Sequence, residues 1–334
     1  MTSSTALKIC VLLSTYNGEH YLAEQVHSIL TQTGRGTAFT VQIYIRDDGS
    51  SDNTLKIIQQ LTNDHPDTVF LLTDDLGNAG VRASFLQLVK HAPNDAALYF
   101  LADQDDVWEP NKVQVFLEYY AQTTQALPIG LYSDLWVADQ NAQVTGQKMS
   151  QVAHWQQLTI DYEFLSFNYR ITGAAFAFNA RAKELLALIS IAEINASNMH
   201  DSFFALTIAA CGQLIGIADP LVRYRQHAHN VVGAAGHHKT WREHWQSAFA
   251  FPGQKIFNNV LLNEFLHRQH LRLRTAHETA VMADYLAYYH AAHCWQRWQA
   301  ALMIKAHISQ PHPWLNVAKL MVTNVTKPYQ LPQN

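Results

Sequence analysis

The sequence has few cysteines, few glycines and prolines, and few charged residues. Its 334 residues include 3 cysteines, 14 glycines and 10 prolines, and 15% of them are charged. Cys10, Cys211 and Cys294 lie far apart and never in C-x-x-C spacing, which argues against a disulfide framework or a structural zinc site. We expect buried free thiols. Since 48% of the residues are hydrophobic, the chain can bury a large core, and a disordered tail or a coiled coil is excluded.

Membrane and export signals are also missing from the sequence. No stretch approaches the roughly 18 consecutive apolar residues of a membrane span, and the N-terminus lacks the basic start and cleavage site of a secretory signal. We therefore expect a cytoplasmic protein, and we expect no nucleic-acid partner.

Three common motifs of nucleotide-binding and hydrolytic enzymes are absent. The first loop lacks G-x-G-x-x-G, and neither G-x-x-x-x-G-K-[ST] nor G-x-S-x-G occurs anywhere. Their absence argues against a dinucleotide-dependent dehydrogenase, a P-loop enzyme and an α/β-hydrolase.

Charge and composition change together near Gly236. Residues 1–236 hold 13 Lys and Arg against 23 Asp and Glu, whereas residues 237–334 hold 10 against 4, with 5 of the 8 Trp and 10 of the 18 His. We predict a domain over 1–236, with halves 1–127 and 128–236, followed by a basic, Trp- and His-rich helical region over 237–334.

Apolar runs alternate with amphipathic segments over the first hundred residues. This pattern predicts strands separated by helices, and hence an α/β fold with a doubly wound, mostly parallel sheet. A looser alternation continues to residue 225, and two segments, 255–274 and 277–307, have helical apolar spacing. Ligands of such sheets bind beyond the carboxyl ends of the strands, so the polar loops STYNGEH, RDDGSSDN, TDDLGNAG and ADQDDVWEP are candidate site segments.

A cluster of carboxylates follows the predicted strand ALYFLA. Asp103, Asp105 and Asp106 would repel one another unless a cation is present, and hard oxygen ligands suit Mg²⁺ or Mn²⁺, which usually also bind phosphate oxygens. The alternative is an acidic turn that caps the helix after Pro110.

In the loop after the second strand, we expect Asp47 or Asp48 to face the crevice, unless the DDGS sequence forms only a turn and a cap.

Several longer motifs occur in a fixed order along the chain: LSTYNG, Gln32-Thr33, RDDGSSDNT, GNAGVRASF, DQDDVWEPNKV, HDSFFAL and YRQHAHNVVGA. Together they resemble the family 2 glycosyltransferases of GT-A fold, and most closely their bacterial rhamnosyltransferase-like branch. The resemblance covers residues 8 to 236, about 70% of the chain by length. It implies a nucleotide-binding half and an acceptor half, and an enzyme that transfers a sugar from a nucleoside diphosphate donor.

The resemblance also implies roles for individual residues. Ser14 and Tyr16 would border the nucleotide, Asp48 would accept from the base imide, and Arg82 would lie near the diphosphate unless it is a solvated helix residue. Asp105 would contact the ribose and serve as a metal ligand, Asp106 would ligate the metal, and Asp103 would support them. Arg225 and His227 follow a predicted strand end, where Arg225 would contact phosphate oxygens and His227 would complete the metal shell unless it is a structural histidine. The sequence does not apportion the metal among the three aspartates.

Asp201 is implied to be the catalytic base for the acceptor hydroxyl, against the alternative that it only caps a helix. His200, Trp108 and Asp134 are expected at the acceptor pocket, with core packing as the alternative for Trp108. The expected reaction inverts the anomeric centre and builds a surface polysaccharide, with dTDP-rhamnose or a UDP-hexose as donor and a glycan or lipid-linked acceptor. Two alternatives are a catalytically inactive carbohydrate- or lipid-binding scaffold and a sugar nucleotidyltransferase.

Residues 237–334 lie outside the resemblance. Their tryptophans and basic residues suggest peripheral contact with the inner face of the plasma membrane. The alternative is a helical layer that packs on the first domain or on the second subunit of a homodimer.

Overall fold

A computed structural model describes residues 6–155, 157–158, 160–226, 241–308 and 313–322, with only the backbone course given for 241–251. Among these residues it has nine strands and thirteen helices. The strands are β1 (Leu7–Thr15), β2 (Phe39–Asp47), β3 (Val69–Leu71), β4 (Leu98–Asp103), β5 (Val107–Trp108), β6 (Ile129–Ala138), β7 (Val144–Lys148), β8 (Phe176–Asn179) and β9 (Gln213–Arg225).

Helices follow most strands. They are α1 (Leu22–Leu30), α2 (Thr54–Asp64), α3 (Val81–His91), α4 (Lys112–Tyr120), α5 (Met149–Val152), α6 (Tyr162–Phe167), α7 (Ala180–Leu186), α8 (Ile191–Ala196), α9 (His200–Cys211), α10 (Trp241–Arg268), α11 (Ala276–His290), α12 (Cys294–Ala306) and α13 (Pro313–Val322). The alternation predicted for the first hundred residues is confirmed. The predicted strand over 171–178 is shorter, because Gly173–Ala175 forms a 3-10 turn before β8.

All nine strands form one sheet in the order β3-β2-β1-β4-β8-β6-β9-β5, with β7 paired to β6. Strands β3, β2, β1 and β4 are parallel, as is the pair β6 and β9. Strand β8 runs antiparallel between β4 and β6, which joins the two parallel parts. The predicted α/β architecture is therefore confirmed, and its second half is mixed because β8 pairs antiparallel with both of its neighbours.

The central strands are buried on both faces. In β1, Cys10 and Leu12 belong to one hydrophobic core, whereas Ile9, Val11 and Leu13 belong to the core on the opposite side of the sheet. Side chains of a strand alternate between faces, so helices must cover both sides. This burial explains the continuous apolar runs in the sequence.

The C-terminal helices are tied to the rest of the protein. From α10, Ile256 and Phe265 are buried in the same core as residues of α3 and α9. His307, after α12, lies between two carboxylates, with its Nδ1 2.7 Å from Glu163 of α6 and its Nε2 2.8 Å from Asp284 of α11. These contacts fix α11 and α12 against α6.

Two details of this region differ from the sequence-based expectation. The predicted helix over 277–307 is two helices, because Gln296 accepts from the backbone N–H of Ala292 and His293 and so starts α12 anew. Cys294, expected to be buried, is exposed, whereas Cys10 is buried. In the part of the chain that the structure describes, no helix is both long enough and apolar enough to span a bilayer.

Candidate active site

The carboxyl ends of the parallel strands bring three predicted loops together. Ser14 of β1 pairs in register with Asp103 of β4, and Thr15 pairs with Asp47 of β2. Because parallel strands end at one edge of the sheet, the loops that follow them share a crevice. The sequence therefore placed these loops correctly.

Gln104 fixes the first loop. Its Oε1 accepts from Thr15 Oγ1 over 2.6 Å and from the Tyr16 backbone N–H over 2.8 Å. A Cβ at Gly18 would lie 2.4 Å from the same Oε1, so a larger residue here would displace the Gln104 side chain. The Tyr16 ring is 49% exposed and is free to face a ligand, whereas Ser14 is buried and bonds to Ser84 Oγ over 2.6 Å.

The two aspartates of the second loop have different partners. Asp47 accepts from the backbone N–H of Gly49 and Ser50. It therefore forms the turn that was considered for the DDGS sequence as the alternative to a residue facing the crevice. Asp48 is buried and accepts from the backbone N–H of Ala79 and Gly80, over 2.8 and 2.9 Å.

Arg46 holds Asp48 from the other side. Its Nη1 donates to Asp48 Oδ1 over 2.6 Å, and its Nε donates to Asp74 Oδ2 over 2.7 Å. The described contacts of Asp48 use three of the roughly four acceptor positions of a carboxylate, and the remaining position is on Oδ2.

Asp106 is the most deeply buried carboxylate of the acidic cluster, with 1% of its surface exposed. Its Oδ1 accepts from the Arg225 backbone N–H over 3.1 Å, and its Oδ2 is buried without a hydrogen-bond partner among the described residues. Burial, and then the charges of Asp105 and Asp103, raise the pKa of Asp106 well above its usual range. Burial, followed by Asp105 and Asp201, raises the pKa of Asp103 to about 8. The cluster is thus short of positive charge.

Lys112 is a fully buried lysine whose charge acts on Asp103 and Asp106, and sequence analysis missed it. Its Nζ donates to the Ala174 carbonyl over 2.8 Å and lies 3.7 Å from the centre of the Trp108 ring. Burial lowers the pKa of Lys112 well below its usual range, against the opposing effect of Asp106 and Asp103. Trp108 is buried in the core beside it, in agreement with the packing alternative.

Arg225 ties the end of β9 to three other segments. Its guanidinium donates to the Asp105 carbonyl over 2.6 Å, to the Gln140 carbonyl over 2.7 Å and to Glu24 Oε2 over 2.6 Å. The side chain therefore holds the acidic cluster in place through protein groups. The sequence predicted only a phosphate contact for it. His227 lies outside the described residues.

Asp201 stands in the first turn of α9. Its Oδ2 accepts from the Gly173 backbone N–H over 2.9 Å and its Oδ1 accepts from the Ser202 N–H over 2.6 Å. The N-cap of α9 is Met199, so Asp201 is not the capping residue. Burial raises the pKa of Asp201 to about 6, although these backbone N–H groups lower it.

His200 is buried beside Asp201. Its ring stacks on Phe85 with centroids 4.1 Å apart, and neither of its nitrogens has a hydrogen-bond partner in the described part of the chain. Burial, and then the charge of Arg82, lower the pKa of His200 to about 3. A Cβ at Gly173 would lie 3.2 Å from His200 Nε2, so the glycine keeps this space open.

Arg82 and Asp134, both predicted site residues, make contacts outside the acidic cluster. Arg82 donates to the Ser197 carbonyl, just before α9. Asp134 is buried and accepts from the Leu135 N–H over 2.8 Å and from the Ser150 N–H over 3.0 Å. These bonds hold β6 against α5, and they turn the Asp134 carboxylate toward the protein interior.

Lys255 of α10 is a second residue that sequence analysis missed. Its Nζ donates to the Asn168 carbonyl over 2.6 Å and lies 3.3 Å from the centre of the Tyr169 ring. Burial lowers the pKa of Lys255 well below its usual range, and the negative charge of Asp201 opposes that effect. The sequence offered one indication of this buried lysine: Lys255, Asn258 and Asn259 interrupt the apolar face of a helix.

Among the residues that the structure describes, the acidic cluster can hold a divalent cation only together with ligands from outside the protein. No group of three His, Cys, Asp or Glu side chains within the described ranges is placed to hold a metal. A Mg²⁺ ion bound with a diphosphate, however, needs only one or two carboxylates and keeps water or phosphate oxygens in its other positions. The buried, unpartnered Oδ2 of Asp106 fits that kind of site.

Solved structures share this architecture at low sequence identity. Staphylococcus aureus TarS 1–349, solved in complex with UDP-GlcNAc, matches with a TM-score of 0.57 and 13% identity, over 94% of this chain and 88% of that one. The mannosyltransferase PcManGT from Pyrobaculum calidifontis, solved with GDP-Man and Mn²⁺, matches with a TM-score of 0.50 and 14% identity, over 94% and 79%. The likeness shows the predicted GT-A fold.

Sequence comparison gives the family. The dTDP-rhamnosyl transferase RfbG of Shigella flexneri is 27% identical over 231 residues, which cover 66% of this chain and 74% of that protein. The chain spans less than half of the length of several other curated relatives that it matches. Residues 10–181, more than half of the chain, match the family model described as Glycosyl transferase family 2. The chain therefore belongs to glycosyl transferase family 2.

Proposed function

We propose that the protein is a metal-dependent, inverting glycosyltransferase that moves a sugar from a nucleoside diphosphate donor to a hydroxyl group of a glycan or lipid-linked acceptor. The observation that carries the proposal is the Oδ2 of Asp106, a buried carboxylate oxygen without a described partner beside two further aspartates. Such an arrangement is stabilised when a cation and the oxygens of a diphosphate enter the site.

Asp106 would hold the cation, with Asp105 as a second ligand, Asp103 in support and His227 as the ligand from the segment after β9. The bound ion, Mg²⁺ or Mn²⁺, supplies positive charge that stabilises the departing nucleoside diphosphate. Arg225 keeps Asp105 and Asp106 in place through its backbone and side-chain bonds.

The nucleotide would lie between the first two loops. The exposed Tyr16 ring is available for stacking on a base, and the remaining acceptor position of Asp48 is available for its imide N–H. Ser14 borders this region through its bond to Ser84, and Arg82 extends from α3 toward the acceptor side.

Asp201 would act as the base. It removes a proton from the acceptor hydroxyl as the hydroxyl oxygen bonds to the anomeric carbon, and the bond from that carbon to the diphosphate oxygen breaks with inversion. The pKa of about 6 leaves Asp201 ionised at neutral pH, yet more basic than an ordinary aspartate. His200 would line the acceptor side, where Gly173 leaves space, while Trp108 and Asp134 support its walls.

The finer assignments are also proposals. Rhamnose as the transferred sugar and a role in surface polysaccharide synthesis are supported by the Shigella relative, and a UDP-hexose is the alternative donor. A peripheral membrane location and a homodimer are proposals that concern the C-terminal helices.

Thermal unfolding with a donor panel tests the function. We expect one of dTDP-rhamnose, UDP-glucose or UDP-N-acetylglucosamine to raise the Tm only when Mn²⁺ or Mg²⁺ is present, because a ligand that binds the folded state alone stabilises it. Asp106→Asn should lose this shift, and Asp64→Asn, an exposed aspartate at the end of α2, should keep it. Shifts absent with every donor would favour an inactive scaffold, and a shift retained in Asp106→Asn would contradict the role of Asp106 as a metal ligand.

A further inference from the structure

The outer surface of α12 and α13 exposes large apolar side chains. Trp295 and Trp298 of α12 are 60% and 51% exposed, and Trp314 of α13 is 61% exposed. Met303 of α12 and Leu315 of α13 are also more than half exposed. We call these five residues the Trp face. Exposed tryptophans grouped in this way usually mark an interaction surface.

The Trp face results from the register of two packed helices. Trp295 and Trp298 lie about one turn apart on one side of α12, whereas Ala300, Ala301 and Ile304 on the other side are buried. Lys305 Nζ, near the end of α12, lies 3.8 Å from the centre of the Trp314 ring. The two helices therefore present one continuous surface.

The stretch of sequence that carries the Trp face is basic. The last 50 residues of the chain, 285–334, contain no Asp or Glu, and they contain Arg297, Lys305, Lys319 and Lys327. The average composition of the chain would place about four acidic residues in a stretch of this length. Residues 1–284 hold 19 Lys and Arg against 27 Asp and Glu, so their net charge is negative and that of the last 50 residues is positive.

We infer that the Trp face is a docking surface for an anionic lipid bilayer. Tryptophan prefers the boundary between headgroups and acyl chains, and nearby Lys and Arg side chains attract anionic headgroups. A second copy of the chain fits less well, because a two-fold contact would bring Lys305, which lies against Trp314, close to the net positive charge of the same end of the partner. This inference deepens the proposed function, since it gives a lipid-linked acceptor as the partner class.

The location of the face suits such a partner. Helices α12 and α13 pack on α11 and α10, and α10 carries Lys255, whose charge acts on Asp201. A bilayer bound to the outer side of this helical layer would therefore hold the transferase domain at the membrane surface.

Vesicle sedimentation of the full chain tests the inference without any sugar donor. We expect the protein to sediment with phosphatidylglycerol-containing vesicles, less at high salt, and weakly with phosphatidylcholine vesicles. Trp295→Ser/Trp298→Ser should weaken anionic-vesicle binding by on the order of tenfold. Leu55→Ser/Val144→Ser, a control at exposed apolar residues of α2 and β7, should bind like the unmodified chain.

Two results would overturn the inference: vesicle binding that the Trp substitutions leave unchanged, or no binding to anionic vesicles. A concentration-dependent dimer that the Trp variant loses, without vesicle binding, would assign the face to a second copy. Donor binding is measured separately by the Tm shift, so failure of the vesicle assay leaves the proposed transferase reaction intact, and failure of donor binding leaves the vesicle result intact.

Discussion

The Arg225 backbone N–H donates to one oxygen of Asp106 over 3.1 Å, while the other oxygen of that carboxylate is buried without a described partner. The residue that fixes the acid belongs to β9, more than a hundred residues later in the sequence. Its guanidinium also binds Glu24 and the Gln140 carbonyl, so the position of Asp106 depends on segments from both halves of the chain.

Asp201→Asn should retain donor binding and reduce turnover by on the order of a hundredfold or more, because the amide cannot accept the acceptor proton. Steady-state kinetics and the donor-induced Tm shift measure the two effects. Asp219→Asn, at an exposed aspartate of β9, serves as the control and should have normal turnover. Undiminished activity of Asp201→Asn would transfer the role of base to another residue.

The pH dependence of turnover follows from the pKa of Asp201. The carboxylate must be ionised to accept a proton, so kcat should decrease below about pH 6, by about tenfold per pH unit once Asp201 is mostly protonated. A pH profile of kcat from 4.5 to 8 measures this limb. A rate independent of pH across that range would rule out an aspartate base with this pKa.

The stability of the metal-free protein should decrease as the pH rises from about 4 to about 8. The pKa of Asp103 is raised to about 8 in the folded protein, so the folded state keeps a proton that the unfolded chain releases above about pH 4. That contribution is complete at low pH and is lost by pH 8. Asp103→Asn should have a flatter dependence of Tm on pH, and Mn²⁺ should raise the Tm of the unmodified chain most at pH 8. An identical pH dependence in both proteins would contradict the raised pKa.

Lys255→Met should shift the acidic limb of the kcat profile to higher pH, because the positive charge of Lys255 lowers the pKa of Asp201. Lys183→Met is a matched control: Lys183 is also buried, but it donates to the Ala92 carbonyl over 2.8 Å and to Asn94. Both substitutions should lower the Tm, and only Lys255→Met should move the pH limb. Equal profiles would limit Lys255 to a structural role.

Arg46→Met should lower the free energy of unfolding by about 3 to 5 kcal/mol, since it leaves the carboxylates of Asp48 and Asp74 without their buried partner. The comparison is Arg181→Met, which breaks an exposed pair with Glu184 and should cost about 0.5 kcal/mol or less. Urea unfolding of both variants measures the difference. Similar losses for the two would show that the Arg46 pair contributes no more than a surface pair.

Local patterns were sufficient to predict the first half of the fold and the loops of the site. Strand and helix periodicity predicted β1 to β4, and the rule that ligands bind beyond the carboxyl ends of parallel strands selected the loops after them. The structure shows Ser14 of β1 in register with Asp103 of β4. The choice between Asp47 and Asp48 required the structure, because the turn that occupies Asp47 and the Ala79–Gly80 amides that hold Asp48 come from different loops.

Long-range packing explains what the sequence did not reveal. Lys112 and Lys255 look like ordinary helix residues, and their roles arise only because Ala174 and Asn168 present carbonyl groups to them. The break between α11 and α12 contains neither glycine nor proline, and it depends on a side-chain cap from Gln296. The contacts of Asp134 were not predicted either, because its bonds to Ser150 depend on α5, a helix of only four residues.

The burial of α10 limits how this protein can be divided. Ile256, Phe257, Leu261 and Phe265 fill the same interior as α3 and α9, so a fragment ending at residue 236 would leave a hydrophobic trench open to water. Such a fragment would be expected to aggregate. If C-terminal segments were exchanged between relatives, the core residues on both sides of this shared interior would have to be changed together.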